Sequence, residues 1–503
     1  MEFDPAIFLA LFEEALGYWW VILPAIFLGL IVGAIPGFSA ANTIIILLPL
    51  AISLPVEIGF VFMIALYASS RMGAGIPAIL VNIPGTAGAA ATPLDGYPMT
   101  QQGRGQQALA ISFVSSALGG LLTTILALLA MPWLAEVAFH LHSVEMIVIM
   151  LFGVSLIATI AAEDTLKGLI AGFFGLMIGS IGADHVYETP RGTMGFLELY
   201  DGVPLIPALV GLFAISEAFS VIDRDSILTE RGKVAMRDSG WGPTIEGMQL
   251  ALSRWWHIIW TSIIGLVIGV IPGAGAAIAS FVAYQQSRTY SKMPELYGTG
   301  HLEGLIAPES ANNGVTSGTL LPLLVIGIPG GATAAIMLVV LQYHGVTMDT
   351  ELFMEKQELA YLPFTTMAVT YFLMLFTIMP LARYMSRVTV VRTVYMAPLV
   401  ISFTLVGAFV PREYQFDMLL ALIFGVIGYI ARKTDYHVAA ILIGIILGPL
   451  LEGFFIRVMK MHQGDVSALF SSTLGNVLWV CLVANLALPY FMKRRRSKKA
   501  AKA

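Results

Sequence analysis

The tripeptide Ile-Pro-Gly occurs four times in this chain, twice in each half: Ile35-Pro36-Gly37, Ile83-Pro84-Gly85, Ile271-Pro272-Gly273 and Ile328-Pro329-Gly330. Every copy lies in apolar, glycine-rich sequence. Proline removes a backbone donor and glycine admits positive φ, so each copy is a helix break. In hydrocarbon a break strands amides and carbonyls that lipid cannot satisfy. Such breaks have to be buried in protein or line water. Broken helices at matching positions of two halves are the sequence mark of a secondary transporter's binding site.

The surroundings of the breaks are membrane-like. Of 503 residues, 57% are hydrophobic and only 12% charged, against about 25% charged in soluble domains. An all-α polytopic membrane protein is expected, with lipid around it. The net charge of −5 gives no reason to invoke a nucleic acid. The lone cysteine, Cys481, excludes an internal disulfide. The start, Met1-Glu2-Phe3-Asp4, lacks the basic region of a cleaved signal, so the first spans are expected to be retained.

A span takes about 20 apolar residues. Outside the breaks, helices are predicted near 108–131, 145–161, 165–182 and 203–222, then near 361–382, 395–410, 416–431, 436–456 and 471–492. Lys and Arg in short loops mark the cytoplasmic side. Counting spans puts the tail Lys493-Arg494-Arg495-Arg496-Ser497-Lys498-Lys499 on that side. Arg432-Lys433, the loop with Arg383, Arg387 and Arg392, the Arg104 loop and a polar connector over 223–253 join it. The acidic N-terminus and the loops at 344–360 and 411–415 fall outside. The same count runs a first broken core, about 18–100, and a second, about 255–345, in opposite directions. Pro36 and Pro272 are 236 positions apart and Pro84 and Pro329 are 245 apart; the second offset also lays Gly73 on Gly318 and Pro77 on Pro322. The expectation is an inverted-topology repeat: 1–222, in which the core is followed by scaffold helices, and 254–456, built the same way. The cytoplasmic connector 223–253 joins them, and 457–503 adds a C-terminal helix and basic tail.

Polar residues gather beside the breaks: Ser39, Asn42 and Thr43 after the first, and Asn82, Thr86 and Thr92 around the second. Glu309, Ser310, Asn312, Asn313, Thr316, Ser317 and Thr319 precede the fourth, and Thr333 follows it. Amide and hydroxyl oxygens suit hard cations, and helix N-termini bring donors and a positive dipole end to a carboxylate. Such a site takes an anion and a cation together with no fixed basic side chain. The competing reading is packing, because Gly33 to Gly37 and Gly269 to Gly273 have GxxxG spacing. Glu309, an acid in an apolar zone, is either a proton relay or cation ligand, or a carboxylate capping a broken helix end. Asp95 and Arg104 flank the turn-rich Pro93-Leu94-Asp95-Gly96-Tyr97-Pro98 and are expected to fix a loop. The eight histidines are scattered, and no catalytic triad order, phosphate loop or nucleotide fingerprint stands in a convincing context. Neither an enzyme nor a resident cofactor or metal beyond Na⁺ is expected.

The chain resembles the TctA family, the large membrane subunit of the tripartite tricarboxylate transporters. The residues that carry this are Gly33-Ala34-Ile35-Pro36-Gly37, the run from Pro84-Gly85-Thr86 to Gly96-Tyr97-Pro98, Gly103-Arg104-Gly105, Ala307-Pro308-Glu309-Ser310-Ala311-Asn312-Asn313 and Gly327-Ile328-Pro329-Gly330. One departure is visible: the fourth break continues as Gly330-Gly331-Ala332-Thr333, which displaces its hydroxyl relative to Thr86. The resemblance implies Na⁺- or proton-coupled import of citrate-like carboxylates across a bacterial inner membrane. It also implies a small four-helix membrane subunit, a periplasmic substrate-binding protein, and an elevator-type movement of the broken cores against a scaffold. From their places at the breaks, Ser39, Asn42, Gly85, Thr86, Asn312, Asn313 and Gly330 are expected to contact the carboxylate. Pro36, Gly37, Asn82, Thr92, Glu309, Thr316, Ser317 and Thr333 are the candidates for the coupling cation. The alternatives are the large subunit of a TRAP-type dicarboxylate or sialic acid carrier, and a passive anion channel, which would more naturally show charged rings or filter carbonyls.

Overall fold

The computed structural model describes residues 5–35, 40–139, 141–160, 165–183, 189–222, 240–271, 275–346, 352, 357–385 and 396–484. Pro36, Gly37, Ser39, Pro272, Gly273, residues 223–239 of the connector and the basic tail lie outside them. The described residues are mostly helical, with one short antiparallel pair, Gly182–Ala183 against Pro190–Arg191. In the first half the helices are α1 (Pro5–Gly17), α2 (Trp19–Gly33), α3 (Ala40–Ser53), α4 (Val56–Gly73), α5 (Gly75–Val81), α6 (Pro93–Gln101), α7 (Gly105–Phe139), α8 (Ser143–Ile160), α9 (Thr165–Gly179), α10 (Leu205–Val210) and α11 (Ser216–Ile222). The second half has α12 (Gly242–Ser253), α13 (Trp255–Val270), α14 (Gly275–Tyr290), α15 (Leu302–Ile326), α16 (Ala332–Tyr343), α17 (Gln357–Met385), α18 (Met396–Phe409), α19 (Gln415–Lys433), α20 (Val438–Met461) and α21 (Thr473–Ala484). A π-helical turn, Gly211–Ile215, joins α10 to α11.

The helices expected outside the breaks stand near their predicted places, from α7 over 108–131, which runs on to Phe139, to α20 over 436–456. Among the described residues, five helices are long and apolar enough to cross a bilayer, or seven if each of two bent pairs counts as one span. Shorter apolar helices such as α3 and α16 accompany them. At 1.5 Å per residue, the 12-residue α16 covers about 18 Å, a little over half of a roughly 30 Å hydrocarbon core. The protein is a multi-pass membrane protein, and its outward side chains suit lipid: Phe173, Met177, Phe372, Phe376, Phe403, Ile423 and Ile430 are all exposed.

Both halves open on the same elbow. The first bent pair, α1 with α2, turns by 66°, and the second, α12 with α13, by 73°. Each elbow carries two exposed tryptophans, Trp19 and Trp20 in one and Trp255 and Trp256 in the other, again 236 positions apart. Tryptophan's amphipathic ring favours the membrane–water interface. Residues 242–253 of the expected connector are thus helical.

Close helix crossings follow, and they recur as well. A Cβ on Gly33 of α2 would lie 2.2 Å from the Ser70 carbonyl of α4, and one on Gly73 of α4 would lie 2.6 Å from the Leu30 carbonyl of α2. In the second half, a Cβ on Gly269 of α13 would lie 2.9 Å from the Val315 carbonyl of α15, and one on Gly318 of α15 would lie 2.5 Å from the Leu266 carbonyl. Packing therefore accounts for Gly33 and Gly269, the first members of the two GxxxG pairs. α15 is central and packs against α13, α7, α14, α4 and α6. Another glycine-lined crossing, where a Cβ on Gly175 would lie 2.1 Å from the Ile441 carbonyl, joins α9 to α20 away from the breaks.

Gly265 measures what these crossings tolerate, since a Cβ there would meet the Ala311 carbonyl at 2.2 Å. Gly265→Leu is expected to destabilise the protein by about 1–3 kcal/mol, the usual cost of overpacking. Gly453→Leu, at a position with nothing within 4 Å, should leave melting unchanged. Thermal unfolding followed by size-exclusion chromatography in detergent compares the two.

Candidate functional site

The second and fourth breaks are built alike. Asn82 ends α5 in the left-handed region (φ 59°), and Gly327 ends α15 in the same way (φ 71°). The amide of Ile83 then donates to Pro77 O and that of Gly85 to Ala74 O; the amides of Ile328 and Gly330 donate to Pro322 O and Thr319 O. All four pairs of equivalent residues are 245 apart. The two glycines face equivalent backbone too. A Cβ on Gly85 would lie 2.6 Å from Gly33 O and 2.8 Å from Ala74 Cα, and one on Gly330 would lie 2.9 Å from Gly269 O and 2.7 Å from Thr319 Cα. The chain thus satisfies these break amides by folding back on its own helices, which is how a break survives in a low-dielectric interior. Beyond the breaks the copies diverge. Gly331 is the extended residue before the 12-residue α16, whereas Thr86 precedes a single 3₁₀ turn, Ala87–Ala89.

Between the breaks runs a polar network with a cation in it. Arg71, on the last turn of α4, donates from Nη1 to Asn312 Oδ1 (3.2 Å) and from Nη2 to the Tyr67 hydroxyl (2.8 Å). Its guanidinium also stands 4.9 Å from the Tyr67 ring centroid, within cation–π range. Asn312 is locked in return, because its Nδ2 donates to Arg71 O (3.3 Å). Tyr67 and Thr319 share a hydroxyl–hydroxyl bond of 2.9 Å. Thr316 bonds the Tyr371 hydroxyl at 2.8 Å, and Tyr371 donates to Asn313 Oδ1 at 3.3 Å. A Cβ on Gly88, in the turn after the second break, would lie 2.3 Å from Asn312 Oδ1. The network therefore touches the break of one half and the broken helix of the other.

Two buried carboxylates tie the halves together. Glu309, fully buried within α15, accepts from Thr92 Oγ1 (2.5 Å), Ser112 Oγ (2.7 Å) and Ser116 Oγ (2.9 Å). It lies well inside α15, so it caps no end of its own helix. Its carboxylate lies against Gly75, the first residue of α5, where a Cβ would meet Oε1 at 3.0 Å. Asp95, fully buried on α6, accepts on Oδ1 from the amides of Gly298 (2.9 Å), Gly300 (2.8 Å) and His301 (2.7 Å), and on Oδ2 from Tyr284 (3.0 Å). It fixes a loop, but the distant one at 298–301 and not its own stretch. Gly298 and Gly300 have φ of 89° and 99°, which only glycine adopts readily, and this turns successive amides toward one oxygen. Burial holds the nearby Tyr297 phenol above its ordinary pKa, so it stays protonated. The stretch Pro93–Pro98 is the opening of α6 rather than a turn, because proline's fixed φ suits a first helical position.

A sequence model described as the tripartite tricarboxylate transporter TctA family matches residues 20–443, which include both breaks, Arg71 and both carboxylates. The chain belongs to that family. A relative from Agrobacterium vitis, "Uncharacterized 52.8 kDa protein in TAR-I ttuC' 3'region", is 28% identical over 484 residues, 93% of each chain. A second from the same organism, "Uncharacterized protein in TAR-II ttuC' 3'region", is 28% identical over 235 residues, 46% of this chain and 97% of its own. No solved structure matches. Membership of the TctA family makes the protein a component of a tricarboxylate transporter, one part of a tripartite system.

In this TctA protein the expected site residues fall into groups. Gly85, Thr86, Asn312 and Gly330 lie at or against the two described breaks, and Asn313 joins the network through Tyr371. Thr92 and Glu309 meet each other. The hydroxyls of Thr316 and Ser317 bond carbonyls of their own helix. Asn82 is exposed at the end of α5; Asn42 and Thr333 are buried on the first turns of α3 and α16. Pro36, Gly37 and Ser39 lie outside the described residues. The polar network between the breaks also holds a basic side chain, Arg71, which was not among the expected site residues. Its signal was available: a lone cation deep in the apolar span Val56–Val81, where an ionisable group is functional by default. Ser112 and Ser116 gave no such signal.

A separate cleft of about 280 Å³ is lined by Pro204, Val339, Gln342, Pro411 and Arg412. Arg412 there is committed to Asp417 through two bonds of 2.6 and 2.9 Å, so the cleft has no spare charge for an anion.

Proposed function

We propose that the protein imports citrate-like tricarboxylates or related carboxylates by secondary active transport across a bacterial inner membrane, driven by a Na⁺ or proton gradient. A periplasmic binding protein delivers the substrate, and a small membrane subunit completes the complex. The observation that most supports this is the recurrence of one break, with the same hydrogen bonds and close contacts, around a single polar network. The copies run in opposite directions, so the tryptophan elbows anchor at opposite interfaces and the C-terminus is cytoplasmic. Two broken helices meeting between them make a site that can open to either side. The movement is of the elevator kind: α2–α6 and α13–α16 travel together, with α7 bound to them through Glu309.

Charge sorts the ligands within the site. A Na⁺ at Thr316 would sit on the bonded network that holds the Arg71 guanidinium, through Thr319 and Tyr67, and like charge opposes it there. The coupling cation is therefore assigned to Glu309 and its hydroxyls, an oxygen set that a hard cation accepts, and not to Thr316 or Ser317. Among the described residues no group of three His, Cys, Asp or Glu could hold another metal.

The test is labelled citrate uptake into proteoliposomes holding the complex and its binding protein. Accumulation above the external concentration is expected under an inward Na⁺ or proton gradient, and it should collapse with an ionophore. Uptake that only equilibrates under every gradient would make the protein a channel.

A further inference from the structure

Arg71 has two of its guanidinium nitrogens engaged, on Asn312 and Tyr67. Its Nε is buried and meets no acceptor. Among the described residues no carboxylate forms an ion pair with it. A guanidinium has five N–H donors in a planar fork matched to carboxylate. A charge inside an apolar span is costly while it has no counter-ion. Tyr67 and Asn312 hold the fork still, and Asn312 is itself held by Arg71 O. At the equivalent position of the second half stands Thr316, whose hydroxyl is bonded to its own helix and Tyr371. Among the described residues the network has one fixed cation, on the side of the first half.

Resting on the carboxylate-import reading, we propose that Arg71 receives a carboxylate group of the substrate and that this contact selects organic anions over their uncharged analogues. Asn312 and Tyr67 are positioning residues: they keep the fork in the plane in which a carboxylate can take two parallel hydrogen bonds. The ligand is thus bound in one orientation, with its anchored carboxylate toward the first half.

The test uses the full complex in proteoliposomes, comparing wild type, Arg71→Gln and Arg71→Lys with citrate and with a citrate monoamide. A hydrogen bond to a charged group contributes enough for a roughly 10- to 100-fold change. Arg71→Gln is expected to raise KM for citrate by about that factor and to erase the preference for citrate over the amide. Arg71→Lys should restore the preference but only part of the affinity. Wild type that imports no carboxylate would overturn the reading of function, and the assignment with it. Active wild type beside an Arg71→Gln protein with unchanged KM and preference would overturn the assignment alone. Should Arg71→Gln fail to assemble, arginine labelling of the wild-type complex by phenylglyoxal, read by mass spectrometry, decides. Saturating citrate is expected to protect Arg71, and labelling unchanged by citrate would overturn the proposal.

Discussion

Asp95→Ala is expected to cost about 3–5 kcal/mol of stability, because hydrogen bonds to a charged group contribute about 1.5–3 kcal/mol and donors left behind add their desolvation. One carboxylate oxygen collects three backbone amides from residues 298–301, and the other takes the Tyr284 hydroxyl. Alanine would strand all four donors. Asp95→Asn keeps an oxygen for the three amides and offers Tyr284 a donor that its hydroxyl can accept, so it should recover about half of the loss. Tyr284→Phe removes a single bond to the carboxylate, worth about 1.5 kcal/mol. Chemical unfolding in detergent should rank the variants in that order. The effect reaches function because α6 belongs to the first half and the clamped loop leads directly into α15 of the second. If Asp95→Ala unfolds at the wild-type midpoint, the loop is held by other means.

The four Ile-Pro-Gly copies and the long apolar runs were legible because their cause is local. Proline and glycine act on their own backbone, and about 20 apolar residues need no partner to be recognised. The matched offsets led further than expected, since Asn82 and Gly327 take the same left-handed cap although their side chains differ. What stayed hidden depends on contacts across some 200 positions. Nothing near Asp95 announces that its acceptor capacity goes to Gly298, Gly300 and His301. Ser112 and Ser116, one turn apart on α7, look like ordinary small residues until Glu309 is laid against them. Arg71 is the opposite case, a plain signal passed over because amides and hydroxyls alone make a chemically sufficient site. Pro93–Pro98 misled for a local reason: Pro93 and Gly96 favour a turn in isolation, while burial of Gly96 against Ile79 and Leu305 holds the segment helical.

Glu309→Gln is expected to abolish accumulation while exchange of internal for external substrate continues. The carboxylate is fully buried, and among the described residues no cationic side chain pairs with it. Its three partners are hydroxyls, which can rotate to accept as well as donate. Glutamine has nearly the same shape, so the α15–α7 junction should hold with a loss of about 1–2 kcal/mol. It carries no charge, however, and a neutral amide is a far weaker ligand for a cation or proton. On the proposed assignment an anionic substrate neutralises Arg71 and the coupling cation neutralises Glu309, so removing the acid is expected to break the link between the two without closing the path. Counterflow and concentrative uptake, measured on the same proteoliposomes, separate the two functions. A Glu309→Gln protein that still accumulates citrate under a Na⁺ or proton gradient would reduce the residue to a structural staple between α15 and α7.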